Sequence, residues 1–148
     1  MKPLYIFDLD GTLALTEHRQ HILNGSEPDK WRRFFAACVH DEPNSSVVNT
    51  LRMLRHSADI YIWSGRSDEV REQSEFWLSE YIGDFGCTLK MREAGDFTPD
   101  EILKKQWFDE LDIDDRIRLV AVFDDRDKVV NMWRESGVAC FQVAQGNF

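Results

Sequence analysis

Short apolar runs alternate with longer stretches in which apolar residues recur every three or four positions, and this alternation holds along most of the chain. Residues 4–7, 60–63 and 119–123 are continuous apolar runs of strand length, and each ends on a polar residue: Asp8, Ser64 and Asp124. Runs so short, bounded and rich in Ile, Val and aromatic residues read as strands buried on both faces. Residues 138–143 form a fourth strand candidate, and 88–91 a weaker one. Between them, Val47, Leu51 and Leu54 share one helical face behind the cap candidates Asn44, Ser45 and Ser46. Asp68 is placed to cap a helix running to about Tyr81, Pro99 suits the first turn of a helix through Leu111, and Asp127 opens one that ends near Gly137. Such alternation predicts an α/β fold: a central, mostly parallel sheet with helices on both faces, in one domain spanning residues 1–148.

Residues 15–43 break the rhythm. They separate the first strand from the first crossover helix, yet contain Asn24-Gly25-Ser26, Pro28 and a helix candidate carrying Trp31, Phe34 and Phe35. About thirty residues after a strand end exceed what a connection needs, so a small helical cap over a site is expected here, against the plainer reading of a peripheral helical hairpin. The three aromatic residues serve either as the packing of that cap or as a platform for a nucleobase, and packing is the favoured reading. His18 and His21 are read as polar cap surface, with substrate contact by His18 or Arg19 left open.

Composition limits the partners. Hydrophobic residues make up 43% of 148, including ten Phe and five Trp, enough for one core. Acids outnumber Lys and Arg by 27 to 18, the wrong sign for gripping a long phosphate backbone or an anionic membrane. Much of the excess is local, with eight acids and two lysines between Asp96 and Asp115, and the run from Asp109 to Asp115 reads as solvated surface. Any nucleic acid is therefore expected to be engaged at its terminus. No apolar stretch reaches membrane-spanning length and no signal-like start is present, so a soluble, cytoplasmic protein is expected. Cys38, Cys87 and Cys140 are odd in number and lack CxxC spacing, which fits reduced, buried thiols.

In open α/β sheets ligands bind outside the carboxyl ends of the strands. That places Asp8, Asp10, Ser64, Gly65, Arg66, Asp124, Asp125 and Arg126 around one crevice. Four carboxylates at close range repel, and an all-oxygen donor set favours Mg²⁺ to relieve them. The guanidinium groups of Arg66 and Arg126 suit phosphate oxygens. In Asp8-x-Asp10 the two side chains point the same way along an extended segment, and Gly11 permits a sharp turn. One carboxylate can then attack phosphorus to give an aspartyl-phosphate while the other serves as general acid and then base.

Phe7-Asp8-Leu9-Asp10-Gly11-Thr12-Leu13 resembles the first motif of the haloacid dehalogenase superfamily of aspartate-nucleophile phosphotransferases. Ser64, Lys104 and Asp124-Asp125 match its later motifs in order. A narrower resemblance, through Ser64-Gly65-Arg66, Arg92-Glu93-x-Gly95-Asp96, Asp124-Asp125-Arg126 and Gln142-Val143-Ala144-x-Gly146-x-Phe148, is to the 3′-phosphatase domain of phage polynucleotide kinase/phosphatases. No Gly-x-x-x-x-Gly-Lys-[Ser/Thr] loop occurs, so the kinase activity of those proteins is expected to be absent. The resemblance implies a haloacid dehalogenase-like Rossmannoid sandwich with Asp8 as nucleophile, Asp10 as general acid and base, and Ser64 and Lys104 (with Lys105 as a rival) on the phosphoryl group. It implies Mg²⁺ on Asp8, Asp10 (through its backbone carbonyl), Asp124 and Asp125, and Thr12, Gly65, Arg66, Arg92 and Arg126 as contacts to the rest of the substrate. The expected activity is hydrolysis of 3′-phosphates on polynucleotides or nucleotides, in a host cytoplasm if the protein is phage-encoded. Hydrolysis of small phosphorylated metabolites and a silent phosphate-binding module are the alternatives.

Overall fold

The structure, a computed structural model, describes residues 1–83 and 88–148; Cys87 lies outside them. Five strands, β1 (Leu4–Phe7), β4 (Asp59–Ser67), β5 (Thr88–Arg92), β6 (Leu119–Asp124) and β7 (Cys140–Gln142), form one sheet in the order β5-β4-β1-β6-β7. Every neighbouring pair in it is parallel. Side chains alternate across this sheet as strand geometry requires. Phe7 and Ile62 join Leu51, Trp77 and Leu78 beneath α2 (Ser45–Leu54) and α3 (Arg71–Tyr81). Ile6, Trp63 and Val122 join Leu103, Trp107 and Trp133 beneath α4 (Asp100–Asp109) and α6 (Asp127–Glu135). The result is a three-layer α/β sandwich. Trp63 lies 5.7 Å from Trp107 and 5.8 Å from Trp133 between ring centroids, and aromatic pairs of this kind add about 0.5–1.5 kcal/mol each beyond the area they bury.

Register does most to assemble the site. Phe7 pairs with Ile62 on one side and with Phe123 on the other, so Asp8, the first residue past β1, and Asp124, the last residue of β6, fall side by side. The Asp8 amide donates to the Phe123 carbonyl at 2.9 Å and fixes that alignment. The β4·β5 register shifts between Ser64 and Ser67, an irregularity that re-aims side chains at a strand end. It carries Gly65 and Arg66.

Between β1 and α2 the chain builds a separate small unit. Its base is the two-stranded ladder of β2 (Ala14–Leu15) with β3 (Glu42–Pro43), and above it lie a 3₁₀ segment (Glu17–Asn24), α1 (Lys30–Ala36) and a second 3₁₀ segment (Ala37–His40). Trp31, Phe34 and Phe35 sit within about 6 Å of one another by ring centroid. Phe34 is buried, whereas Trp31 is 50% exposed.

Several local expectations need correction. Pro99 precedes α4 in extended conformation, and its carbonyl accepts from the Ile102 and Leu103 amides. Ser67, not Asp68, caps the 3₁₀ turn ahead of α3, while the Asp68 carboxylate accepts from the Ala94 amide. The last strand is confined to Cys140–Gln142, because the Val138 amide is drawn back to the Trp133 carbonyl at the end of α6. The acidic run holds a short helix, α5 (Ile113–Arg118), whose Asp115 accepts from the Tyr61 hydroxyl and Arg118.

Candidate active site

Asp8, Asp124 and Asp125 form a buried cluster in which each offers a carboxylate oxygen within 4.8 Å of the others. Lys104, from the middle of α4, reaches under them and donates to Asp8 at 2.8 Å and to Asp124 at 2.9 Å. Lys104 is 3% exposed, while Lys105 points outward and pairs with Asp109, which settles which lysine faces the crevice. Asp8 takes a second hydrogen bond from the Thr12 hydroxyl at 2.9 Å, and Asp124 accepts from the Asp125 and Arg126 amides.

One lysine does not neutralise three buried carboxylates. Burial, then the negative charge of Asp124, holds the Asp8 carboxyl well above the usual carboxylate range despite the opposing pull of Lys104. The same two causes push Asp125 up to about 6. The Lys104 ammonium is held charged: burial opposes it, but Asp124 and Asp8 outweigh burial. A buried, all-oxygen, net-negative cluster of this kind fits a hard divalent cation.

Asp10 has a different environment. Its carboxylate accepts from Arg66 Nε at 2.8 Å and from an Arg19 terminal nitrogen at 2.8 Å. Burial would raise its pKa, but Arg66 and Arg19 outweigh burial and lower it. Both arginines are buried and also donate to Asp41, with Arg19 making a two-pronged contact at 2.8 Å. His18 Nε2 lies 2.6 Å from the same carboxylate.

The expected site residues are thus brought together, with altered roles for three. Arg66 is buried against Asp10, Asp41 and Ser74, so it orients the carboxylate and does not reach into the crevice. Thr12 is wholly buried and touches Asp8, not open space. Ser64 is buried with its Oγ accepting from the Arg66 amide, and it is Gly65 that lines the cavity. Arg92 and Arg126 do line it, but both grip Asp100, at 2.6 and 2.9 Å. The Asp10 carboxylate stands apart from the three-carboxylate cluster. Asp41 and Asp100 are absent from the sequence reading. Asp100 had a usable signal, lying one helical turn before Lys104; Asp41 had none, since its partners are 22 and 25 residues away.

The carboxylates open into a cavity of about 1040 Å³ that runs between the strand ends and the unit of residues 15–43.

A parallel five-stranded sheet with an acidic cluster at its carboxyl edge is the architecture of haloacid dehalogenase-like hydrolases. A haloacid dehalogenase-like hydrolase from Streptococcus pneumoniae superposes over 95% of this chain and 84% of its own, with TM-score 0.63 and 14% identity, a likeness of fold. The family model of the polynucleotide kinase PNKP phosphatase domain matches residues 2–148, and the chain belongs to that family. In the solved structure of a Pnkp1/Rnl/Hen1 complex, one chain is 35% identical with TM-score 0.79, covering 100% of this chain and 48% of that one. A protein of Autographa californica nuclear polyhedrosis virus, inferred to be a bifunctional polynucleotide kinase/RNA ligase, is 32% identical over 130 residues, which are 86% of this chain and 17% of the viral one. The chain therefore spans less than half the length of the Pnkp1/Rnl/Hen1 chain and of the viral protein. Among the described residues, no helix is long and apolar enough to cross a membrane.

Proposed function

We propose that this haloacid dehalogenase-type phosphatase domain removes terminal 3′-phosphates from polynucleotides or nucleotides, with Asp8 as the nucleophile. The observation that carries the reading is the placement of Asp8 between Lys104, Thr12 and the Asp124–Asp125 pair, with Asp10 two residues on. Thr12 and Lys104 occupy one oxygen each of Asp8 and so fix the rotamer of the attacking carboxylate. Asp8, Asp124 and Asp125, with the backbone carbonyl of Asp10, would hold Mg²⁺. When bound, the ion supplies positive charge against the non-bridging oxygens of the phosphoryl group.

In the first half of the reaction an Asp8 oxygen bonds to phosphorus as the ester P–O bond breaks, and Asp10 gives its proton to the leaving oxygen. In the second half water attacks phosphorus, Asp10 takes the proton from that water, and the P–O bond to Asp8 breaks to release inorganic phosphate. Arg66 and Arg19 hold Asp10 ionised in the free protein, ready as a base. A substrate that enters as its monoanion brings the proton Asp10 needs: the phosphoryl charge works against those two cations, raises the proton affinity of Asp10 and lets it take up that proton for its role as acid. Lys104 faces the phosphoryl group directly, while Ser64, whose Oγ accepts from the Arg66 amide, steadies the strand end that carries Gly65 and Arg66.

A panel comprising a 3′-phosphorylated oligonucleotide, 3′- and 5′-mononucleotides and sugar phosphates, assayed with Mg²⁺ and with excess EDTA, tests the proposal. The expected result is Mg²⁺-dependent release of phosphate, fastest from the 3′-phosphorylated oligonucleotide, and no turnover by Asp8→Asn. A rate on the oligonucleotide no better than on a sugar phosphate overturns the substrate assignment; persistent turnover by Asp8→Asn overturns the nucleophile.

A further inference from the structure

The cavity is larger than a phosphate needs. At about 1040 Å³ it stands at the upper end of sites that enclose a small ligand, so there is room for a nucleoside beside the reacting group. Its wall is not basic: acidic side chains outnumber basic ones by eight to four, three of the acids being the Asp8, Asp124 and Asp125 cluster. The four cations are already engaged, Lys104 by Asp8 and Asp124, Arg92 and Arg126 by Asp100, and Arg32 by Glu69. Three of the four are held by buried or half-buried carboxylates and only Arg32 is on the surface, so uncharged surface is the larger part of what remains to grip the rest of a substrate.

That surface is aromatic. Trp31 of α1 and Phe97, from the turn between β5 and α4, both line the cavity, 50% and 86% exposed. Neither is left loose. Trp31 is backed by Phe34 and Phe35 at 6.0 and 5.9 Å, and Phe35 packs in turn on the buried group of Cys38, Val70 and Met91. The turn bearing Phe97 is tied down on either side of it: Arg92 donates to the carbonyls of Asp96 and Thr98, and the Thr98 amide and hydroxyl both donate to the Asp96 carboxylate. A large apolar ring projected from a pinned turn into a cavity has the geometry of a contact surface prepared for a flat apolar partner.

We infer that Trp31 and Phe97 form a stacking subsite for the terminal nucleobase of the strand whose phosphate Asp8 attacks. The inference rests on the proposed reading of the site and adds what that reading lacks, a physical reason for nucleotides over sugar phosphates. Stacking uses the π-face that every base has, so the subsite tolerates sequence while demanding a base.

The test compares two 3′-phosphorylated oligonucleotides of equal length, one complete and one lacking only the base of its terminal sugar. For the wild-type chain, kcat/KM on the complete strand exceeds that on the abasic strand by about 5- to 150-fold, the range that base–aromatic stacking supports. In Phe97→Ala and in Trp31→Ala the ratio falls toward one, chiefly through KM, and Trp31→Phe restores most of it. Phe97 is almost wholly exposed, so its variant reports even where loss of Trp31 disturbs the fold. A second readout does not need turnover: with Asp8→Asn, fluorescence anisotropy of strands labelled at the 5′ end gives Kd for both, and the complete strand binds more tightly by a similar factor. Equal values for the two strands, or a ratio unchanged in the variants, overturns the inference. Absence of 3′-phosphatase turnover together with a retained Kd difference overturns the proposed reaction and leaves the stacking subsite standing.

Discussion

Gly11 is where backbone conformation and chemistry meet most closely. Its φ of +80° lies in the left-handed region, and a Cβ built on it falls 2.1 Å from Asp125 Oδ2. Alanine there incurs about 1–2 kcal/mol of backbone strain and also displaces a carboxylate of the acidic cluster. Gly11→Ala is expected to lose about a hundredfold in kcat/KM, the size of effect that follows from a misplacement of about 1 Å in a preorganised site. Gly137→Ala is the matched control: its φ is +81°, nothing lies within 4 Å of the added methyl, and the position is at the end of α6. It should lose similar stability in urea denaturation and keep its turnover. Equal losses of activity in the two variants would show that strain, not the clash with Asp125, is what matters at Gly11.

The unit between β1 and α2 is joined to the sheet by charge as well as by the β2·β3 ladder. Asp41, just before β3, is the shared counter-ion of Arg19 and Arg66, and with Asp10 it balances the two buried guanidiniums. Asp41→Asn leaves an uncompensated buried cation and is expected to cost about 3–5 kcal/mol of stability, read as a lower urea midpoint. A loss under about 1 kcal/mol would mean that the network is solvated and that Arg19 does not tie the unit to Asp10. None of this could be read from sequence, because ion pairs between residues more than twenty positions apart leave no periodic trace. The strands were legible for the opposite reason: their central place in the sheet makes β1, residues 60–63 of β4 and residues 119–123 of β6 apolar runs, and the polar residue that ends each run marks the carboxyl edge of the sheet. α5 escaped notice because Ile113 and Ile117, its natural helical signal, are exposed and sit in an acidic surround. Arg66 was read as a substrate contact because its orientation depends on the register shift in β4, which no local pattern encodes.

The net charge of −9 is the wrong sign for gripping a long phosphate backbone, yet part of it is stored in the buried cluster of Asp8, Asp124 and Asp125, where the cost of burying it varies with pH. Asp125 titrates at about 6 in the folded, metal-free protein against an ordinary 3.8, and Asp8 is raised in the same direction, each by burial first and by Asp124 second. A raised folded-state pKa means that the folded protein binds the proton more tightly than the unfolded chain does. The stabilisation this gives is complete below about pH 4 and is lost as the pH climbs through about 6. Asp10 runs the other way, its contribution being present above the ordinary carboxylate range and lost only in stronger acid. In EDTA, Tm should therefore fall between pH 5 and pH 7.5, by several degrees, given about 2–4 °C per kcal/mol in a chain of this size. A divalent cation held by the ionised carboxylates would stabilise the folded state according to its concentration over Kd. The gap in Tm between Mg²⁺ and EDTA should accordingly widen as the pH rises over that interval, and Asp125→Asn should flatten the EDTA curve. Thermal melts at both pH values decide the matter: a Mg²⁺ gap that is the same at pH 5 and pH 7.5 would show that the cluster does not hold the cation.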